Sequence, residues 1–155
     1  MGYSTSGCLG VRYDSTSTTQ EHDLGTRVQM QDGGMAVYVQ ASGAITQYDA
    51  VAIDEDFQAA AATKALVDDG HFIAFAQVAA ADNEYIWVHQ TGSNINCRVA
   101  NNCAADVPLY TSSTAGVLDD SSTSQTKIDG VVAVAAVTTE TSTEILATWP
   151  KSTTF

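Results

Sequence analysis

The sequence predicts an all-β protein: a small β-barrel or sandwich built from two similar β-rich halves, with one short helix near 63–69 and an extended N-terminal arm. Three observations carry this. Apolar segments of strand length recur at spacings of roughly 8–12 residues with turn residues between them. Thr, Ser, Ala and Val dominate, charged residues reach only 15% and proline occurs twice, a composition suited to short strands joined by polar turns. The C-terminal third also repeats the order of the middle of the chain. The segment around Asp49 returns around Asp106, 57 positions on, and the segment around Ile73 returns around Val132, 59 positions on. The two copies span about 43–90 and 100–149, inside a single β domain of residues 25–155.

Residues 1–24 carry little apolar periodicity, and Ser15-Thr16-Ser17-Thr18-Thr19 has nothing to bury. They read as an arm that orders on binding, with an edge strand around Leu9–Tyr13 as the alternative. From Gly25 the pattern becomes regular. Thr26–Gln31, the turn Asp32-Gly33-Gly34 and Met35–Ala41 form a hairpin, whose second strand alternates Val37, Val39 and Ala41 against Tyr38 and Gln40. Tyr48–Ile53 is a strand, Asp54-Glu55-Asp56 an acidic turn and Phe57–Ala60 a returning strand. Thr63 can cap a two-turn helix that Gly70 ends. A longer helix through the alanine run is disfavoured because Asp119-Asp120-Ser121-Ser122, in the matching part of the second copy, cannot sustain one.

His71–Ala79 and Glu84–Gln90 are the next strands. Thr91-Gly92-Ser93-Asn94 is expected to turn the chain, and Ile95–Val99 to pair after it. The last strand begins near Ile145 and is expected to stop at Pro150, which cannot donate to a ladder.

The length, 155 residues, suffices for one domain that buries about two thirds of its unfolded surface without a metal or disulfide. Six basic against 18 acidic residues give a net charge of −12, which argues against nucleic acid or anionic lipid as direct partners. No apolar run approaches the roughly 20 residues of a membrane helix, and the N-terminus lacks the features of a secretory signal, so the chain reads as soluble and unexported. Of three cysteines, Cys97 falls on the apolar phase of its strand and reads as a small core residue; a Cys97–Cys103 bridge is disfavoured in a reducing cytoplasm.

No nucleophile with a base, carboxylate pair or metal cluster stands at a convincing spacing, so no catalytic residue, cofactor or metal is assigned and an enzyme is not expected. His22, His71 and His89 are scattered and read as structural or solvent-facing. The acidic pairs lack the calcium-loop pattern, and turn-forming aspartates account for them. Tyr85 and Trp87, two apart on one strand face, could make a platform for sugar rings or a protein partner, or could close over the core or a subunit contact.

The order of motifs resembles the capsid decoration (cement) proteins of tailed bacteriophages over roughly residues 25–150. It runs from Gly-x-Ile-x-x-Tyr-Asp-x-Val-x-Ile-Asp at Gly43, through Thr-Lys-Ala-Leu and Ile-x-Phe-Ala-Gln-Val. It continues with Cys-Ala-Ala-Asp-Val-x-Leu-Tyr-Thr-Ser-Ser-Thr-Ala-Gly-Val-Leu-Asp-Asp and Ile-Asp-Gly-Val-Val, and closes on Ala-Thr-Trp-Pro. The resemblance implies a virion protein, made in the host bacterial cytoplasm, that binds the outside of an expanded head and clamps neighbouring major capsid subunits. It also implies a homotrimer and an arm that orders against the capsid; residues 1–24 fit that role as an unpaired polar segment able to add a strand to a sheet edge, and Leu9, Val11, Arg12 and Tyr13 within them are the expected contact residues. A second reading is a head-displayed carbohydrate- or host-surface-binding module using Tyr85 and Trp87.

Overall fold

The structure, a computed structural model, describes residues 11–154. It is almost entirely β. The described residues form ten strands in order: β1 Arg27–Gln29, β2 Met35–Ala41, β3 Ala50–Ile53, β4 Gln58–Ala61, β5 Phe72–Ala76, β6 Tyr85–Val99, β7 Pro108–Thr111, β8 Leu118–Asp119, β9 Lys127–Ala133 and β10 Thr141–Ser152. The one helix among the described residues, α1, is Lys64–Asp68.

The pairings close two rings that share β6. In barrel 1, β2 pairs with β4, β4 with β3, β3 with β5, β5 with the first half of β6, and that half with β2 again. In barrel 2, the second half of β6 pairs with β8, β8 with β7, β7 with β9, β9 with β10, and β10 with β6. Both rings contain one parallel pair, β2–β4 and β6–β8. Closure leaves each five-stranded sheet without a free internal edge.

The halves match residue by residue. Val37, Val39, Ala50, Ala59, Ala76 and Val88 of barrel 1 correspond by register to Ile95, Cys97, Pro108, Leu118, Ala133 and Ile145, each pair 57 to 59 positions apart. Connecting hydrogen bonds repeat too. Tyr48 N–H donates to Ala76 C=O as Asp106 N–H does to Ala133 C=O, and Ala80 N–H donates to Ile45 C=O as Val137 N–H does to Cys103 C=O. The repeat is therefore longer than the sequence suggests, and takes in β2 and the second half of β6. Its alignment also shifts by one: Asp106 is the counterpart of Tyr48, not Asp49. Both hold the left-handed conformation, at φ 57° and 69°, which Asp tolerates better than most residues.

Two strand ends differ from expectation. Thr91-Gly92-Ser93-Asn94 does not turn the chain; β6 runs unbroken through it, with Gly92 at φ 143°. The Asp32 carboxylate accepts the N–H groups of Ser93 and Asn94 (3.0 and 3.2 Å), so the passage from one barrel to the other is held by the β1–β2 turn. Nor does Pro150 end β10. The ladder breaks between Ala147 and Lys151, with Trp149 at φ 50°, so the proline sits in a bulge and pairing resumes at Lys151 and Ser152.

The helix forms where expected. The Thr63 hydroxyl accepts the Leu66 N–H, Gly70 follows at φ 83°, and the corresponding stretch of barrel 2 is a loop. Lys64 pairs with Asp68, whose other oxygen accepts the Thr126 hydroxyl and so ties the helix to barrel 2.

Each barrel interior is apolar. Val37, Val39, Ile53, Ala74, Ile86 and Val88 fill barrel 1; Ile95, Cys97, Leu109, Leu118, Ile128 and Ile145 fill barrel 2. Cys97 and Cys103 are free, buried core residues, as read for Cys97, and occupy the positions of Val39 and Ile45. Burial raises both thiols, Cys103 to about 11, which keeps them protonated and inert.

Candidate functional site

Because the interiors are alike, the differences lie outside. Barrel 1 is covered on two sides. Its β3–β5 face, Ala50, Ala52, Ile73 and Phe75, joins one continuous core with the interior of barrel 2, alongside Val67 of α1. Arg98 fastens the junction. Its guanidinium bonds the buried Asp49 carboxylate at 2.7 Å and Glu140 at 2.7 Å. Asp49 also accepts the Thr46 N–H at 2.9 Å. The close approach needs Gly116, where a Cβ would fall 2.3 Å from Asp49 Cγ.

The β2–β6 face of barrel 1 carries an aromatic cluster covered by the chain's own N-terminal segment. Tyr38 and Trp87 are each 2% exposed, with ring centroids 5.0 Å apart; His22 packs edge-on to both, at 5.2 and 5.3 Å. Val11, Tyr13 and Leu24 pack around them. Ser17 pairs with Tyr85 through two backbone bonds of 3.1 and 2.8 Å, and Glu21 N–H donates to the Tyr38 hydroxyl at 3.1 Å.

This corrects two expectations. Over residues 11–24 the N-terminal stretch is not a free arm, because the aromatic face beneath it gains more by being covered than the polar segment loses in chain entropy. No edge strand forms at Val11–Tyr13. Val11 and Tyr13 are half-buried against barrel 1, Arg12 is exposed, and Leu9 lies outside the described residues. Nor do Tyr85 and Trp87 form an open platform: Trp87 is buried, and the half-buried Tyr85 stacks on Tyr38 at 6.1 Å with an interplanar angle of 14°.

His89, expected to share the outward phase, is buried beside Tyr13, its ring centroid 5.6 Å from the tyrosine's. Burial lowers its pKa to about 4, against the pull of the Asp32 carboxylate, so the imidazole is neutral. Burial acts to raise the pKa of Asp32, but the N–H groups of Gly34, Asn94 and Ser93 outweigh it and the net shift is downward.

Among the described residues, none covers barrel 2 in the same way. The counterparts of Ala50 and Phe75 are Pro108 and Val132, which with Leu146 line a shallow apolar groove of about 400 Å³ between β7, β9 and β10. Leu146 is 43% exposed, Val134 49% and Trp149 55%. The sequence reading missed these residues, although the signal was present: Thr143, Ile145 and Ala147 point inward, so Glu144, Leu146 and Thr148 must point out.

Among the described residues no group of three or more His, Cys, Asp or Glu side chains is placed to hold a metal ion, and no helix is long and apolar enough to cross a membrane. The acidic turn is structural, since Asp54 accepts the N–H groups of Asp56 and Gln58 at 3.0 and 2.9 Å. The fold and these faces define a double β-barrel in which the described N-terminal residues cover the β2–β6 face of barrel 1 and leave the outer face of β9 and β10 open. Compared with known protein families and with curated proteins, the chain matches none.

Proposed function

We propose that this is a structural virion protein that attaches to the outside of an expanded phage capsid and clamps neighbouring major capsid subunits against the outward push of packaged DNA. The observation that carries the attachment is the bare outer face of barrel 2, around Val132, Val134, Leu146 and Trp149. Leu146, Val134 and Trp149 are already about half covered, so covering the rest contributes on the order of 1 kcal/mol each, and exposed apolar side chains gathered on one side of the molecule favour a protein-docking surface. The net charge of −12 disfavours nucleic acid and anionic lipid as occupants. The resemblance of the motif order to decoration proteins is what points this reading to the major capsid protein as partner, with trimers on the outer capsid surface as the arrangement.

In this reading the clamp works mechanically. Each copy adds contacts that must break before subunits separate, and many copies on one shell act together. The docking face moves from the N-terminal arm to barrel 2, because Val11 and Tyr13 are engaged within the chain. The test is co-sedimentation with expanded, undecorated heads. Saturable binding with a fixed stoichiometry, lost in Leu146→Asp, is the expected result; absence of binding by the intact protein sinks the proposal. Sedimentation velocity of the free protein checks the trimer.

A further inference from the structure

The geometry points to a second site, a binding cavity for uncharged carbohydrate where the N-terminal segment, the β1–β2 turn and the middle of β6 meet. Its volume is about 600 Å³, within the ~300–1,000 Å³ typical of small-ligand clefts. It shares no residue with the bare face of barrel 2 and does not depend on attachment to a capsid.

The lining has the chemistry of a hydroxyl-rich ligand. Gln31, Gln47, Gln77, Asn94 and Asn96 contribute five amide side chains, each carrying both donors and an acceptor, the combination that can bridge neighbouring hydroxyls. Tyr13 and Tyr48 supply rings for the apolar C–H face of a sugar. No lysine or arginine lies among the described lining residues, whereas Asp14 and Asp32 do, so an anionic ligand is disfavoured.

The walls are already built. Gln77 is spent on structure, its amide donating to Asn96 C=O and accepting Asn96 N–H, both at 3.0 Å, and Gln47 donates to Gln77 C=O at 3.1 Å. Asp32 is fixed by three backbone N–H groups between 2.8 and 3.2 Å. Gly34 allows this, because a Cβ there would fall 2.1 Å from Thr91 C=O. Gln31, Asn94 and Asn96 remain for a ligand.

One lining group has an unmet requirement. His89 is 6% exposed and its Nε2 is buried without a hydrogen-bond partner. A buried, unsatisfied nitrogen on a residue that lines a polar cavity is the kind of defect that a functional site retains. A neutral imidazole can take a hydroxyl as donor or acceptor.

The test is a glycan array carrying neutral and anionic glycans, followed by NMR titration of the isotope-labelled protein with the best neutral binder. The expected result is a neutral glycan that shifts the side-chain amides of Gln31 and Asn94 and the His89 ring saturably. Gln31→Ala and Asn94→Ala, both exposed enough to leave folding intact, should each weaken binding roughly tenfold, the scale of one hydrogen bond to a neutral group. Tyr48→Ala should weaken it further. The inference is overturned if no neutral glycan binds, if anionic glycans bind more tightly, or if the affinity read from the His89 ring shift is unchanged in both amide variants.

Discussion

Barrel 1 and barrel 2 share one pairing scheme and opposite surroundings. At the position where barrel 1 carries Trp87, buried under His22 and the N-terminal segment, barrel 2 carries Glu144, exposed to solvent. Where barrel 1 presents Phe75 to a shared core, barrel 2 presents Val132 to an open groove. The ring of strands tolerates either environment because its interior is self-sufficient. What distinguishes the two barrels is therefore what lies over their outer faces, and the outer face of β9 and β10 is the one that the described residues leave open.

The sharpest way to break this comparison is to remove the paired residues. Trp87→Ala should cost about 3–5 kcal/mol in denaturant unfolding, the usual range for emptying a large aromatic site, while Glu144→Ala at the matching position should stay within about 0.5 kcal/mol. Equal costs would mean that the N-terminal segment is not part of the folded unit.

The junction is the next place to press. Asp49→Ala leaves the Arg98 guanidinium facing the gap with only Glu140, and should cost about 2–3 kcal/mol, less than for a fully buried pair because Arg98 is partly exposed. Arg98→Gln, which installs the residue that barrel 1 has at the equivalent Gln40, should cost less when combined with Asp49→Asn than the two single changes together.

The third effect depends on pH. His89 has a folded pKa near 4, below its unfolded value near 6.5, so between those values the unfolded chain binds the proton that the folded chain excludes. Stability should therefore fall as pH drops from 6.5, by about 1–2 kcal/mol on reaching pH 5. His89→Leu, copying Leu146 at the matching position, should flatten that slope. If the variant keeps it, the imidazole is not the group responsible.

The smallest effect on stability should come from the bare face. Leu146→Asp and Trp149→Ser should change unfolding by no more than about 0.5 kcal/mol, since neither side chain is buried.

Much of this fold was legible in the sequence because its signals are local. Alternation in Met35–Ala41, the Thr63 cap with Gly70, and the repeat itself all rest on residues a few positions apart or on a fixed period. The continuity of β6 was not legible. Thr91-Gly92-Ser93-Asn94 has turn composition, and only the Asp32 carboxylate, distant in sequence, explains why it stays extended. The burial of Tyr38, Trp87 and His89 was hidden for a related reason: an outward strand phase is exposed only if nothing lies over it, and the covering residues 11–24 carry no periodic signal. The bare face of barrel 2 could have been found from phase alone, in Glu144, Leu146 and Thr148, but nothing local distinguishes a face that stays open.

Hydrogen–deuterium exchange of the protein, free and bound to expanded heads, tests the central claim most directly. The bare-barrel account predicts that binding adds protection in 128–134 and 144–150, leaving 11–24 and 85–89 as protected as they are in the free protein. Added protection confined to residues 11–24, with β9 and β10 unchanged, would contradict it and return the attachment to the N-terminal segment.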